Sequence, residues 1–132
     1  MRNRILRLAG TQLPMSEITI WHNPRCSKSR KTLELIREHG FEPNIVEYVK
    51  DAPTPADLDR ALTTLGVAAR DIVRTKEPPY RELSLDDASL SKGALLEALS
   101  AHPILIERPI VFRGDRAVIG RPPEAVLALL DR

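Results

Sequence analysis

The most constraining stretch is Ile18–Val49, where a strand, a helix and a second strand follow one another without room for anything else. Ile18-Thr19-Ile20-Trp21 is β-branched and aromatic and reads as a strand. The loop His22-Asn23-Pro24-Arg25 ends it, and after Cys26 the residues Leu33, Leu35 and Ile36 supply an apolar helical face. Gly40 stops that helix, and Asn44–Val49 gives a second strand centred on Ile45-Val46. Such a unit needs a right-handed crossover and a sheet to belong to.

The rest of the chain supplies that sheet after a helical interruption. Thr54-Pro55-Ala56-Asp57 is a helix start, with Leu58, Leu62 and Leu65 spaced along one face before Gly66. A short helical segment over Ala68–Arg74, an irregular stretch from Lys76 to Asp87, and a helix capped by Ser91 with Leu95, Leu96 and Leu99 follow. Strand signals then return at Ile104-Leu105-Ile106, ending at Arg108-Pro109. Ile110-Val111-Phe112 and Ala117-Val118-Ile119 flank Gly114-Asp115 as a hairpin. Pro122 and Pro123 open a final helix carrying Val126, Leu127, Leu129 and Leu130. The plan is an α/β, thioredoxin-like domain, with a helical insertion between an N-terminal βαβ unit and a C-terminal ββα unit.

At 132 residues the chain holds one core, so residues 17–132 are expected to form a single domain. Residues 1–16 read as an N-terminal extension, either disordered or the product of a start assigned too early, with Met15 the true first residue. The 11 prolines, enriched over an average of about 5%, fall between periodic segments and punctuate them.

Charge narrows the partners. The net charge is +2, and setting aside Arg2, Arg4 and Arg7 leaves 17 basic against 18 acidic groups. A near-neutral body argues against nucleic acid. No apolar run approaches the roughly 18 residues of a membrane span, and no secretory leader is evident. A cytoplasmic setting is expected. The lone Cys26 excludes an internal disulfide and a cysteine-rich metal module, and His22, His39 and His102 are too scattered for a metal site.

Cys26 sits between a strand end and a helix start, where free amides and the helix dipole favour negative charge. In comparable settings a thiol pKa falls from about 8.5 to between roughly 3.5 and 7.5. Arg25, Lys28 and Arg30 add positive potential, His22 can assist if it lies alongside, and the Ser29 hydroxyl is placed to reach the sulfur. A lone cysteine is more often a small buried hydrophobe, but polar neighbours on both sides point here to a nucleophilic thiolate. Ser29 occupies the position of the second thiol in a Cys-x-x-Cys pair, so a mixed disulfide on Cys26 must be resolved by another molecule.

Four blocks carry a resemblance over about Ile18–Leu130: His22-Asn23-Pro24-Arg25-Cys26-Ser27-Lys28-Ser29-Arg30, Arg74-Thr75-Lys76-Glu77-Pro78, His102-Pro103-Ile104-Leu105-Ile106-Glu107-Arg108-Pro109-Ile110, and Gly120-Arg121-Pro122. In this order they resemble the glutaredoxin-dependent arsenate reductase family. The resemblance implies a thioredoxin-like fold, a cis Arg108-Pro109 bond, Cys26 as the nucleophile toward arsenate, and Arg74, Arg108 and Arg121 as oxyanion-binding residues. It also implies glutathione as co-substrate, glutaredoxin as partner, and no bound cofactor or metal. Guanidinium forks suit a tetrahedral dianion. Two other readings stay open. One is a general glutathione-linked thiol reductase with little arsenate turnover. The other is a redox regulator binding RNA polymerase, although Ser29 removes the paired thiol such a switch reads.

Overall fold

A computed structural model describes residues 17–131, so the expected extension over residues 1–16 lies outside the described residues. Strand β1 (Ile18–Trp21) leads into helix α1 (Ser27–Glu38), and β2 (Asn44–Val46) follows. Helices α2 (Pro55–Leu65), α3 (Pro78–Glu82) and α4 (Lys92–Ala101) form the insertion, and β3 (Ile110–Arg113) and β4 (Arg116–Ile119) make the hairpin. The four strands lie in the order β2-β1-β3-β4, with β1 parallel to β2 and antiparallel to β3. This is the thioredoxin-like plan with an enlarged middle.

Strand alternation gives the sheet two covered faces. Ile18, Ile20 and Val111 point to one side, where Ile36 of α1 and Val126, Leu129 and Leu130 complete a core. Ile110 and the half-buried Trp21 and Phe112 point to the other, against Leu58 and Leu62 of α2 and Leu95, Leu96 and Leu99 of α4. The helix ends follow local chemistry. Thr54 and Asp57 form a capping box at the start of α2, and the Ser91 hydroxyl accepts the Ala94 N–H at 3.0 Å. Gly40, at φ 88°, ends α1 in the left-handed region that glycine enters without penalty.

The stretch Lys76 to Asp87, expected to be irregular, holds helix α3, which Pro78 and Pro79 open in its first turn, and three further expected elements differ, each for a backbone reason. The second strand ends at Val46 instead of Val49, because the Glu47 carbonyl accepts the N–H groups of Lys50 (3.0 Å) and Asp51 (2.9 Å) and turns the chain away from the sheet. Ile104-Leu105-Ile106 is not a strand. Pro103, lacking an N–H for a ladder, opens a 3-10 helix over Pro103–Leu105, closed by Leu105 N–H to the His102 carbonyl at 2.9 Å. Only Ile106 retains sheet-like pairing, as a bridge to Val73. The final helix is a 3-10 helix, Pro123–Leu129, and the Arg113 guanidinium donates to the Leu129 and Asp131 carbonyls at 2.6 Å beyond it.

Register, more than any single element, assembles the functional end of the sheet. Trp21 pairs with Ile110 and Ile110 with Ile119, so the segments continuing from β1, entering β3 and leaving β4 all emerge at one edge. Those segments are His22–Cys26, Arg108-Pro109 and Gly120-Arg121. The Arg108-Pro109 bond is cis, and so is Arg121-Pro122. Gly120 packs so closely here that a Cβ would stand 2.6 Å from Thr32 Oγ1 and 2.8 Å from Pro109 Cγ. We expect Gly120→Ala to cost about 1–3 kcal/mol through overpacking, read as a lower urea midpoint at unchanged m-value. An unchanged midpoint would mean the interface has slack the packing does not show.

Among the described residues no helix is long and apolar enough to cross a membrane.

Candidate active site

Cys26 is the N-cap residue of α1, in extended conformation at φ −97° and ψ 123°, and partly exposed. The loop before it is tied down at each step. His22 N–H donates to the Val46 carbonyl at 2.8 Å, Cys26 N–H to the Asn23 carbonyl at 3.0 Å, and Arg25 N–H to Asn23 Oδ1 at 3.0 Å. Partial burial pushes the thiol pKa up, but the Ser29 amide, the Arg108 guanidinium and the Lys28 amide, all reaching the sulfur, together hold it below its ordinary value.

The cations next to Cys26 in sequence are not the ones that serve it. Arg25, Lys28 and Arg30 are exposed, and Arg30 donates to the Pro24 carbonyl at 2.9 Å. The guanidinium at the sulfur belongs to Arg108, which arrives from across the sheet.

His22 and Ser29 support the site by a route other than the expected one. Ser29 is fully buried, and its Oγ lies 2.6 Å from His22 Nδ1 and accepts the Asn23 N–H at 3.0 Å. The hydroxyl therefore fastens the loop to the helix, and Ser29 serves the sulfur through its backbone amide. His22 is buried as well. Desolvation lowers its pKa against the opposing pull of Glu47, so the imidazole stays neutral and acts as the hydroxyl's partner.

The three arginines named from the sequence come together, held by two carboxylates that the sequence did not reveal. The Val73–Ile106 bridge lays the stretch before Arg74 beside the stretch before Arg108, with Arg74 N–H donating to the Leu105 carbonyl at 2.7 Å and Glu107 N–H to the Ile72 carbonyl at 2.8 Å. Arg74 then places Nη1 3.0 Å from Glu107 Oε1 and Nε 3.4 Å from Glu77 Oε2. Arg121 Nε lies 3.6 Å from the same Glu107 oxygen, and Arg108 Nη1 4.0 Å from Glu77 Oε2. Each carboxylate thus spans two guanidinium groups. With the Cys26 thiolate included, the charges of the cluster cancel, which removes the self-repulsion three bare arginines would suffer.

Two sets of polar atoms in this cluster are unsatisfied. Arg108 Nε and Nη1 are buried without a hydrogen-bond partner, although burial is opposed by the Cys26 sulfur and Glu77, which favour the charged guanidinium. Tyr48, fully buried, has a hydroxyl without a partner as well. Nothing in its neighbourhood in sequence marks Tyr48 as part of the site, because the arginines and the thiol that act on it come from other elements. A partly exposed, activated thiol beside unsatisfied buried donors and a helix N-terminus is equipped to take a small oxyanion and attack its central atom. Among the described residues no group of His, Cys, Asp and Glu is arranged to hold a metal ion.

The model of the ArsC family matches residues 21–129. The chain is 49% identical over 115 residues to the Escherichia coli K12 protein named Uncharacterized protein YfgD, covering 86% of this chain and 97% of that one. It is 45% identical over 117 residues to a Neisseria meningitidis serogroup A protein named Arsenate reductase, covering 88% of this chain and all of that one. A solved structure named Arsenate reductase from Vibrio cholerae superposes with a TM-score of 0.84 at 44% identity, covering 87% of this chain and 98% of the other. Since the family match begins at Trp21 and ends at Leu129, it encloses every group gathered around Cys26, and the chain belongs to the ArsC family.

Proposed function

We propose that the protein reduces arsenate to arsenite in the cytoplasm, with Cys26 as nucleophile and glutathione and glutaredoxin as external thiol donors. The observation that carries the reading is the Arg108 guanidinium held against a partly exposed N-cap thiol, with Arg74 and Arg121 in the same ion-pair cluster. The similarity to proteins named arsenate reductases supports the choice of oxyanion.

The cycle balances as follows. The Cys26 thiolate displaces hydroxide from arsenic(V), which leaves as water after taking a proton from solvent, and an S–As bond forms. The arginines and the α1 amides bind the oxygens and the charge developing on them. Glutathione thiolate then attacks the Cys26 sulfur, the S–As electron pair stays on arsenic, and arsenite departs as arsenic(III). The remaining Cys26–glutathione disulfide is opened by glutaredoxin, which takes the glutathionyl group and restores the thiol. No step asks the protein for a bound cofactor or metal. Because Ser29 stands where a second thiol would be, Cys26 has no internal route to a disulfide.

Oxidation of NADPH coupled through glutathione reductase, glutathione and glutaredoxin tests this. Consumption that depends on arsenate and yields arsenite is the expected result, with no turnover when thioredoxin and its reductase replace the glutathione system. Thiol-disulfide turnover on a glutathionylated substrate with no response to arsenate would overturn it and identify a general glutathione-linked reductase. Recovery of RNA polymerase by the protein, with no turnover in either assay, would identify a regulator instead.

A further inference from the structure

We propose that the Tyr48 hydroxyl is a substrate-contacting group of the oxyanion site, donating a hydrogen bond to an oxygen of the bound tetrahedral anion beside Arg108. The inference rests on the oxyanion reading of the arginine cluster and adds to it a residue that carries no charge.

Tyr48 has no solvent exposure, and its hydroxyl is buried without a hydrogen-bond partner. Buried polar atoms without partners are exceptional in folded proteins and call for a reason. Among the described residues, buried side-chain atoms in this state are confined to Tyr48 Oη and to Nε and Nη1 of Arg108, two side chains close enough to interact electrostatically. Tyr48 belongs to the core that also holds α2 and α4, but its phenol has the Asn23 side chain near the hydroxyl, outside hydrogen-bond geometry, and is acted on by the charges of Arg108, Cys26 and Arg74, which places it at the border between that core and the groups around the sulfur. Three buried donor atoms without hydrogen-bond partners, on two side chains that both interact with the nucleophile, suit one multi-oxygen acceptor.

The chain builds this arrangement deliberately in the local sense. Residue 48 falls on the same side as Val46, which pairs with Trp21 on the α2 and α4 face of the sheet, and the turn at the Glu47 carbonyl ends the strand with Tyr48 fully buried in that core. Burial pushes the phenol pKa up to about 12, against the lowering pull of Arg108, so the hydroxyl keeps its proton throughout the working range. A hydroxyl also both donates and accepts. It can therefore meet a deprotonated oxygen or an As–OH group, whereas a fourth arginine would only donate and would unbalance a cluster whose charges already cancel. A phenylalanine would fill the same volume, so packing gives no reason for the hydroxyl.

Tyr48→Phe separates the roles. Three quantities are measured: the urea midpoint, the protection of Cys26 from iodoacetamide by inorganic phosphate, and kcat/KM for arsenate in the coupled assay. Expected are a midpoint at or above that of the wild type, since the change removes an unsatisfied buried hydroxyl. Phosphate protection should weaken about tenfold and kcat/KM fall by roughly 10- to 100-fold, with the pH midpoint of alkylation unmoved. A lower urea midpoint with proportionate losses would make the hydroxyl structural and overturn the proposal. So would phosphate protection and arsenate kinetics equal to the wild type. Wild-type protein that phosphate does not protect and arsenate does not turn over would overturn the oxyanion reading itself, and the wild-type arm alone reveals that case.

Discussion

Cys26→Ser abolishes arsenate-dependent NADPH oxidation, with a loss of at least about a thousandfold, while leaving the fold at least as stable as the wild type. The two halves of this expectation come from the same position in the chain. Cys26 caps α1, and serine is among the preferred residues there, because its hydroxyl accepts an N–H from the first turn. The amides of Lys28 and Ser29 that now face the sulfur will face the serine oxygen equally well. The nucleophile, however, is gone. A hydroxyl is not ionised by the modest help these groups give, and no general base stands by to deprotonate it, since the neutral His22 is engaged with Ser29. For the wild type, the lowered thiol pKa sets the sign of a pH profile. Alkylation by iodoacetamide is slow at acid pH, where the thiol is protonated, and rises to a plateau through a midpoint below that of an unperturbed thiol. Arsenate-dependent turnover retained by the serine variant would place the chemistry elsewhere. A wild-type midpoint at the free-thiol value would remove the activation argued from Arg108 and the helix amides.

How much of this site could be read in advance depends on whether a residue's partners are near it in the chain. Cys26 announces itself through its own neighbours, because a strand, a loop with Asn23-Pro24 and a helix start are local signals, and their joint placement of a thiol at a helix N-terminus follows at once. The hairpin around Gly114-Asp115 is equally local. Arg74, Arg108 and Arg121 were identified through resemblance; as isolated arginines they carry no mark, because what makes them a group is the register of Ile110 with Trp21 and Ile119 and the Val73–Ile106 bridge. Glu77 and Glu107 lie inside the blocks that carry the resemblance, but their bridging role is not legible there. Glu77 has Arg74 three residues before it, but its second guanidinium, Arg108, comes from tertiary structure, and Glu107 reaches Arg74 from 33 residues away. Tyr48 depends on groups brought to it from other elements, and the Ser29 hydroxyl on which of two nearby acceptors the buried loop offers. Periodicity identified the element types well, and it failed where proline removed a donor, as at Pro103, or where a carbonyl was captured by a turn, as at Glu47.

Arg108→Ala should lower kcat/KM for arsenate by about 100- to 1,000-fold, the usual consequence of deleting one preorganised donor at a developing oxyanion. Two effects combine here, and they can be separated. Arg108 touches the sulfur, so its loss raises the Cys26 pKa and moves the alkylation midpoint toward the value of a free thiol. It also presents unsatisfied Nε and Nη1 atoms to the site, so its loss removes paired donors for the anion. The first effect slows every reaction of the thiolate, including attack on an ordinary disulfide; the second concerns arsenate alone. Turnover of a glutathionylated substrate at a pH above both midpoints therefore falls only a few-fold in Arg108→Ala, whereas arsenate use remains depressed at that pH. Arg108→Lys sharpens the distinction. A lysine restores charge near the sulfur and brings the midpoint part of the way back, but it lacks the planar fork and leaves most of the arsenate defect in place. Urea unfolding is expected to show only a modest change for the alanine variant, because Glu77 keeps Arg74 as a partner at 3.4 Å and is not left as a lone charge. Equal losses toward arsenate and toward the glutathionylated substrate, both reversed by raising the pH, would reduce Arg108 to a device for ionising Cys26 and would remove its oxyanion role.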